Sequence, residues 1–235
     1  MRKPSRPHSG KSSIPMGPVA AKRPKTITHH GVALNDDYAW LRAENWQEVV
    51  RDPSGLEKSI RSHLEAENAH ADAAMRSTRK LQDLLFKEMK ARIKEDDSSV
   101  PSPDGPWSYF VSYKHGRQYP MTCRQPRAGG PAEGLLDANA LAKGRSYFDL
   151  GGTSHSPDHA LLAYAYDDKG SEFYKVHIRD LATGKDLADE IHDTRGDVVW
   201  AQDSQTFFWT WLDPNHRADR RVARRPCESM QFLPL

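Results

Sequence analysis

The sequence predicts a chain that is helical in its first half and built from antiparallel β-strands afterwards. Apolar residues recur at helical spacing between residues 56 and 93, and short apolar or aromatic runs alternate with turn-forming residues from 107 to 211. A ten-residue phrase in the second half also returns after 45 residues. Because helices come first and strands follow, the two kinds of element do not alternate as they do around a parallel sheet.

Two stripes of apolar residues define the helical half. They consist of Leu56, Ile60 and Leu64, and of Leu81, Leu84, Leu85, Met89 and Ile93. Asp52 or Ser54 is the predicted N-cap, and we expect two helices, or one kinked near Ser77, ending around Arg92. The charged residues here, such as Glu65, Glu67, Glu88 and Lys90, are interpreted as a solvated face and not as a catalytic carboxylate pair.

The centre of the β half is a strand–turn–strand unit over residues 147–185. Residues 161–166 and 173–178 are the predicted strands, separated by the turn Asp167-Asp168-Lys169-Gly170. Residues 107–113 and 119–124 form a second predicted strand pair. Residues 135–142, LLDANALA, are consistent with a short helix or a strand edge.

The repeated phrase indicates how the strands are organised. SPDHALLAYA at residues 156–165 aligns with AQDSQTFFWT at residues 201–210, which places an Asp-containing turn before an apolar strand in both copies. A period near 45 residues is typical of a propeller blade, which buries its faces only against neighbouring blades. A sandwich of regular meanders is the alternative. We predict an incomplete β-propeller of antiparallel blades.

Charge is distributed unevenly along the chain. The first 25 residues hold seven Lys and Arg and no acid, so the other 210 balance 27 basic against 32 acidic side chains. No aromatic residue is interleaved with the basic ones for stacking on bases, so this head is interpreted as a disordered leader and not as a nucleic-acid arm. We expect no nucleic-acid partner.

Cysteine usage and hydropathy restrict the compartment and the cofactors. Cys123 and Cys227 are isolated, which is neither a disulfide framework nor metal-ligand spacing. No apolar run approaches the length of a membrane span. We therefore expect a cytoplasmic protein with no membrane partner, no cofactor and no metal site.

Four short motifs are candidates for a functional site. The nearest match to a G-x-S-x-G elbow is Gly152-Thr-Ser154-His155-Ser156, which ends in Ser and precedes a strand, so it is interpreted as a turn feature. His29-His30 lacks further ligands, Gly10-Lys11-Ser12 lacks the first P-loop glycine, and Arg195-Gly196-Asp197 is explained by a turn. No catalytic, cofactor-binding or metal-binding residue is assigned.

Several phrases together resemble one enzyme family. They are Tyr38-Ala-Trp-Leu-Arg42, His63-Leu-Glu-Ala-Glu-Asn-Ala69, Arg92-Ile-Lys-Glu-Asp-Asp-Ser-Ser-Val-Pro101, Leu135-Leu-Asp-Ala-Asn-Ala-Leu141 and Leu212-Asp-Pro-Asn-His-Arg217. In this order they resemble the amino-terminal half of the prolyl oligopeptidase family of serine peptidases, and most of all its oligopeptidase B members. The resemblance extends over about residues 17–217.

The resemblance implies a two-part enzyme. A helical segment and a propeller of about seven blades precede an α/β-hydrolase domain in this family. The propeller admits only short peptides to a Ser-Asp-His triad, and oligopeptidase B members cleave after Lys or Arg. The expected partners are therefore short peptide substrates. This sequence contains no G-x-S-x-G, so we expect the hydrolase domain to be absent from the chain.

The predicted organisation has four parts. Residues 1–18 are a basic leader, 19–100 the extended and helical segment, 101–217 the partial propeller and 218–235 a basic tail without strand alternation. We hypothesise a frameshift or truncation near residue 218. The expected function is the gating region of an oligopeptidase whose hydrolysis is lost or encoded on a separate chain. The alternative is a non-catalytic propeller-type interaction module.

Overall fold

The computed structural model describes residues 16–224 and 231–233. They fall into two compact units. The helical unit consists of the chain up to Trp46 together with Ser54–Ile93, and the blade unit consists of Gln47–Pro53 together with the chain from Lys94 onward. Gly10-Lys11-Ser12 and most of the predicted leader lie outside the described residues.

The helical unit begins with a β-hairpin. Strands β1 (Lys25–His29) and β2 (Val32–Asp36) pair antiparallel, and His30 and Gly31 turn the chain with φ of 51° and 79°. After the short helix α1 (Trp46–Arg51) come α2 (Lys58–Met75) and α3 (Arg79–Ala91). A 3₁₀ turn at Arg76–Thr78 separates the two long helices, so the predicted break near Ser77 is confirmed.

The two predicted helical stripes differ in burial. In the first stripe Ile60 is 3% exposed and belongs to the core, although Leu64 is 48% exposed. One side of α3, by contrast, carries apolar side chains that are 46–63% exposed. These residues, called the α3 face below, are Leu81, Leu84, Leu85, Phe86 and Met89. Helix α3 is therefore strongly amphipathic, with its apolar side open.

The blade unit contains two antiparallel sheets. The first has the order β3 (Ser102–Asp104), β4 (Trp107–Ser112), β5 (Met121–Pro126) and β6 (Glu133–Asp137). Helix α4 (Ala138–Ala142) follows, with Asp137 accepting a hydrogen bond from the Asn139 amide at 2.9 Å as its N-cap. Residues 135–142 thus form both the strand end and the short helix.

The second sheet has seven strands in chain order. They are β7 (Asp149–His155), β8 (Leu161–Asp167), β9 (Tyr174–Asp180), β10 (Asp186–Trp200), β11 (Phe207–Leu212), β12 (Ala218–Arg224) and β13 (Gln231–Leu233). The strand predictions for residues 161–166 and 173–178 are confirmed as β8 and β9.

Strand β10 belongs to two blades at once. Its first part pairs with β9 and its second part with β11, and Thr194 is the residue common to both registers, opposite Tyr174 and Trp211. The Thr194 hydroxyl donates to the Tyr174 carbonyl at 3.0 Å. The seven-stranded sheet is therefore two four-stranded units joined through β10.

The predicted 45-residue repeat is confirmed in the turns before β8 and β11. The Ser156 amide donates to the Leu161 carbonyl at 2.9 Å, and the Ala201 amide donates to the Thr206 carbonyl at 2.8 Å. His159 and Ser204 occupy equivalent left-handed positions, with φ of 63° and 57°. The two turns also touch, because the Asp158 amide donates to the Ser204 hydroxyl.

Strand β8 is buried on both faces. One cluster contains Ala163, Ala165, Val176, Ile178, Ile191, Phe207 and Trp209. The other contains Leu135, Leu136, Ala138, Phe148, Leu162, Tyr164 and Tyr166. Because successive side chains of a strand point to opposite faces, β8 presents alanines to the blade that follows and larger side chains to the blade that precedes it.

The structure corrects the prediction for the end of the chain. Residues after Arg217 were expected to lack strand structure, whereas β12 pairs with β11 and β13 pairs with β12. The expectation was wrong because a main-chain ladder requires only an unpaired neighbouring strand and not an alternation of side chains. Arg225 and Cys227 lie outside the described residues.

Strands β7 and β10 approach closely where the two blades join. A Cβ on Gly152 would lie 2.8 Å from the Gly196 carbonyl oxygen, and a Cβ on Gly196 would lie 2.9 Å from the Tyr174 ring. Gly196 also has φ of +94°. The absence of side chains at these positions is what permits the crossing.

We expect Gly196→Ala to destabilise the blade unit more than Gly184→Ala. Both glycines have positive φ, but a Cβ at Gly184 meets nothing within 4 Å. Gly184→Ala is the control and measures the backbone strain of alanine at positive φ, about 1 kcal/mol. The steric clash at Gly196 adds roughly 1–3 kcal/mol to the loss of stability. Urea unfolding of the two variants measures the difference. Equal losses would contradict a tight crossing.

Candidate functional site

A polar cavity of about 320 Å³ opens at one end of the blade unit. It lies beside the turn between β8 and β9, the bend of β10 and the turn after β11. Its lining residues are Tyr147, Asp149, Glu172, Tyr174, Arg195, Leu212, His216 and Ala218. We call it the blade-end cavity. Its volume is at the lower end of the range for small-ligand sites.

Asp167 fixes the β8–β9 turn, which carries the cavity residue Glu172. Its carboxylate accepts hydrogen bonds from the amides of Lys169 at 2.8 Å and Glu172 at 2.7 Å, although it is only 2% exposed. These bonds hold the β8–β9 turn with Glu172 at φ of 60°. An Asp that bonds nearby backbone amides is the usual way to fix such a turn.

Asp213 fixes the turn after β11, which carries the cavity residue His216, in a similar way. It accepts from the amides of Asn215 at 2.8 Å and Arg217 at 2.9 Å, and these backbone bonds lower the pKa of its carboxyl. His216 has φ of 59°, its ring packs on Phe173 at 4.1 Å, and its Nε2 lies 2.7 Å from the Ser171 carbonyl oxygen. The two turns are thereby joined across the blades.

The end of α1 is attached to the same turns. The Arg51 guanidinium lies 2.5 Å from Asp193 and stacks over the Phe173 ring at 3.8 Å. The Gln47 amide donates to the Asn215 side chain at 2.9 Å. Cation–π and ion-pair contacts to one guanidinium fix α1 more firmly than a surface ion pair alone.

The blade-end cavity presents polar side chains to solvent. The Tyr174 hydroxyl donates to Asp149, and burial together with this carboxylate raises the pKa of Tyr174 well above its ordinary value. Glu172, Arg195 and His216 supply further hydrogen-bonding groups. Among the described residues that line the cavity, none is a serine or cysteine that can act as a nucleophile.

In the part of the chain that the structure describes, the short motifs considered as candidate sites lie in strands and turns of the fold. His29 and His30 lie at the β1–β2 turn, and Arg195-Gly196-Asp197 lies in the bend of β10. Ser154 and His155 lie at the end of β7, where the Ser154 carbonyl accepts from the Trp200 indole at 3.0 Å. Cys123 is buried in β5, and burial raises the pKa of its thiol.

The structure also brings together a group that sequence analysis missed. Ligand atoms of Asp104, His155 and His159 all lie within 4.8 Å of one another. The His-x₃-His spacing across a turn is a weak signal by itself, and Asp104 is 51 residues from His155. Only the pairing of blades makes them neighbours.

His177 lies in the middle of β9 between two tyrosine rings. Its ring centroid is 5.4 Å from that of Tyr164 and 5.2 Å from that of Tyr166, and its Nε2 is buried without a hydrogen-bond partner. The Tyr164 hydroxyl donates instead to Asp186, at 2.8 Å. Burial lowers the pKa of His177, so the ring is neutral in the fold at pH 7.

The comparison with protein families identifies the chain. Residues 18–229 match the N-terminal β-propeller domain of prolyl oligopeptidase. The chain belongs to the prolyl oligopeptidase family. The antiparallel sheets are accordingly blades of the family's propeller domain, and the resemblance predicted from sequence phrases is confirmed.

Curated relatives in the prolyl oligopeptidase family include two bacterial peptidases. Dipeptidyl aminopeptidase BI of Pseudoxanthomonas mexicana is 35% identical over 222 residues, which is 87% of this chain and 30% of the relative. Protease 2 of Moraxella lacunata is 27% identical over 208 residues, which is 85% of this chain and 29% of the relative. The chain thus spans less than a third of either relative.

Solved structures of the family share the fold. Oligopeptidase B of Leishmania major superposes with a TM-score of 0.82 at 22% identity, over 92% of this chain and 32% of that one. Oligopeptidase B of Trypanosoma brucei, in a closed form with covalently bound antipain, superposes with a TM-score of 0.80 at 25% identity and the same coverage. Within the described residues, no helix is long and apolar enough to cross a membrane.

We expect His177→Phe to reduce the loss of stability on mild acidification. The folded protein resists protonating His177, whereas the unfolded chain binds a proton near pH 6.5, so this residue's stabilising contribution is full above that pH and falls below it. Phenylalanine keeps the stacking with Tyr164 and Tyr166 and removes the unpaired nitrogen. Urea unfolding at pH 7.5, 6.5 and 5.5 measures the slope.

His192→Gln is the matched control. His192 lies on the neighbouring strand β10, is more than half exposed and pairs with Glu190 at 3.1 Å. This variant is expected to keep the wild-type slope between pH 6.5 and 5.5. If His177→Phe and wild type lose stability equally over this range, His177 is not the group responsible.

Proposed function

We propose that this chain is the N-terminal gating part of an oligopeptidase B-like serine endopeptidase that cleaves short peptides after Lys or Arg. The catalytic α/β-hydrolase domain is supplied from outside these 235 residues. The proposal rests on one observation above all. The propeller family matches residues 18–229, and the chain spans only 30% of the most similar curated relative described above.

The blade arrangement supports an incomplete propeller that follows the helical segment in the chain. Within residues 16–224 and 231–233, the sheets contain three four-stranded antiparallel units, one formed by β3–β6 and two sharing β10. A propeller blade is stable only when its faces are covered by neighbouring blades. The outer strands are β3 and β6 in the first sheet and β7 and β13 in the second. Three units are fewer than a closed ring requires, so further blades are expected from polypeptide beyond this chain.

The α3 face supports a contact with further polypeptide. Its five large apolar side chains are 46–63% exposed and lie on one side of a helix. A contiguous apolar patch of this kind is unusual on a free surface and typical of an interface. The hydrolase part of a full-length relative is the occupant that we propose.

Charge supports the proposed preference for basic peptides. Beyond the first 25 residues, acidic side chains outnumber basic ones by 32 to 27. Asp149 and Glu172 line the blade-end cavity, although Arg195 is also present there. A negative surface raises the local concentration of cationic substrates and increases their association rate.

The test is reconstitution of peptidase activity. We expect no hydrolysis of a fluorogenic peptide with Arg at the cleavage site by the purified chain, and inhibitor-sensitive hydrolysis after a polypeptide carrying the hydrolase part of a relative is added. Hydrolysis by the chain alone that a serine-directed inhibitor blocks would refute the proposal. The alternative, a non-catalytic interaction module, predicts that the added polypeptide changes nothing.

Substitutions on α3 test the proposed contact separately. Leu81→Ser combined with Leu85→Ser is expected to weaken the reconstituted complex by at least tenfold, because each buried leucine contributes roughly 1.5–3 kcal/mol. Lys80→Ser combined with Lys87→Ser changes exposed positions of the same helix and serves as the control. Circular dichroism verifies that both variants keep their helices. Equal binding by both would exclude the α3 face as the contact.

A further inference from the structure

Three side chains from separate segments converge between the first and second blades. Asp104 ends β3, His155 ends β7 and His159 lies in the turn that follows. One ligand atom of each lies within 4.8 Å of the others, and His155 Nε2 is 2.8 Å from Asp104 Oδ2. Both histidines are partly buried, whereas Asp104 is exposed.

The ring of His159 lies between Tyr109 and Gly105. Its Nδ1 is 2.9 Å from the Tyr109 hydroxyl, which leaves Nε2 facing Gly105. A Cβ on Gly105 would lie 2.4 Å from that Nε2, so the space exists only because residue 105 is glycine. The left-handed φ of 63° at His159 places the ring there.

Tyr109 holds both histidine rings in place. Its ring stacks on His155 at 3.7 Å with 5° between the planes, and its hydroxyl reaches His159. The two imidazoles are 5.4 Å apart and nearly parallel. Outer groups that fix the orientation and tautomer of histidines are a regular feature of metal sites.

The local charge also favours a cation. Asp104 is a solvent-exposed carboxylate and supplies negative charge to the cluster. Two guanidinium groups lie close to the cluster. Arg124 bonds Glu133, stacks over Trp107 and donates to the His159 carbonyl at 2.8 Å, while Arg127 donates to the Gly105 carbonyl at 3.0 Å. Glu133 neutralises Arg124, and the carboxylate of Asp104 pairs with His155.

We propose that Asp104, His155 and His159 bind one divalent metal ion of the zinc class, as a clip between the first two blades. Two imidazoles and one carboxylate suit Zn²⁺ or Co²⁺, whereas Ca²⁺ and Mg²⁺ prefer more oxygen ligands. Water completes a tetrahedral site. Ligands about 2 Å from a common centre lie roughly 3.4 Å apart, so side-chain shifts of about 1 Å are sufficient.

The site is accessible to a metal ion from solvent. Asp104, Tyr109 and His155 line a cavity of about 470 Å³ between β4 and β7. An ion held there connects the β3–β4 turn to the β7–β8 turn. The Asp104–His155 pair already joins these turns, and Tyr109 of β4 and Arg124 of β5 form hydrogen bonds to His159. The proposal concerns stability of the blades and is independent of the proposed peptidase function.

Titration of the metal-free, full-length chain with ZnCl₂ tests the site. Calorimetry is expected to give one equivalent of Zn²⁺ that raises the melting temperature by several degrees. His155→Gln, His159→Gln and Asp104→Asn are each expected to weaken binding at least tenfold and to abolish the thermal shift. Asp104→Asn keeps the size of the side chain, so it remains informative if a histidine variant folds poorly.

His115→Gln is the matched control for the titration. His115 also lies beside a carboxylate, with Nδ1 3.0 Å from Glu95, but it is exposed in a turn outside the cluster. It is expected to bind Zn²⁺ as wild type does. Co²⁺ absorption identifies the donors, because a site of two histidines and a carboxylate lacks the thiolate charge-transfer band that cysteine ligands produce.

Three results would overturn the proposal. They are the absence of stoichiometric Zn²⁺ binding to the wild type, unchanged affinity in the three site variants, and a thiolate band in the Co²⁺ spectrum. Circular dichroism of the metal-free variants separates loss of a ligand from loss of the fold.

Discussion

The blade unit depends on the continuity of β10 between two blades. Thr194 stands opposite both Tyr174 and Trp211, and it is completely buried. A hydroxyl at this point donates to a backbone carbonyl that would otherwise lose a ladder partner where the register changes. Gly196 then allows the strand to bend against β7.

Packing between blades follows from this geometry. The blade that contains β8 lies between two others, so both faces of β8 are covered, and its side chains alternate between small and large. Ala163 and Ala165 allow the following blade to approach, while Tyr164 and Tyr166 fill the space toward the preceding one. Tyrosine is suited to this position because its ring is apolar and its hydroxyl reaches a partner, here Asp186 for Tyr164.

Aspartates fix the turns at both ends of the strands. Asp158 and Asp203, which precede β8 and β11, accept hydrogen bonds from the backbone amides two residues later. Asp167 and Asp213, at the opposite ends of these strands, do the same. The first pair joins adjacent blades through Ser204, and the second pair shapes the blade-end cavity. The same side-chain chemistry therefore serves the repeat and the candidate site.

Local features of the fold could be predicted from the sequence because they depend on short-range patterns. The break near Ser77, the strands on both sides of Asp167 and the turns at Ser156 and Ala201 follow from periodicity and turn chemistry. Strand β12 could not be predicted, because its pairing depends on the free edge of β11 and not on its own residues.

Sites built from residues that are distant in sequence could not be predicted from short-range patterns. His155 and His159 are close in sequence, but Asp104 joins them only because the first blade packs against the second. Likewise, Asp149, Glu172 and His216 share a cavity because the segments that carry them lie at the same end of the strands. The sequence by itself determined the family, the order of helices and strands and the repeat. The tertiary structure alone decided which polar side chains meet, since those contacts depend on the register and packing of blades that are far apart in the chain.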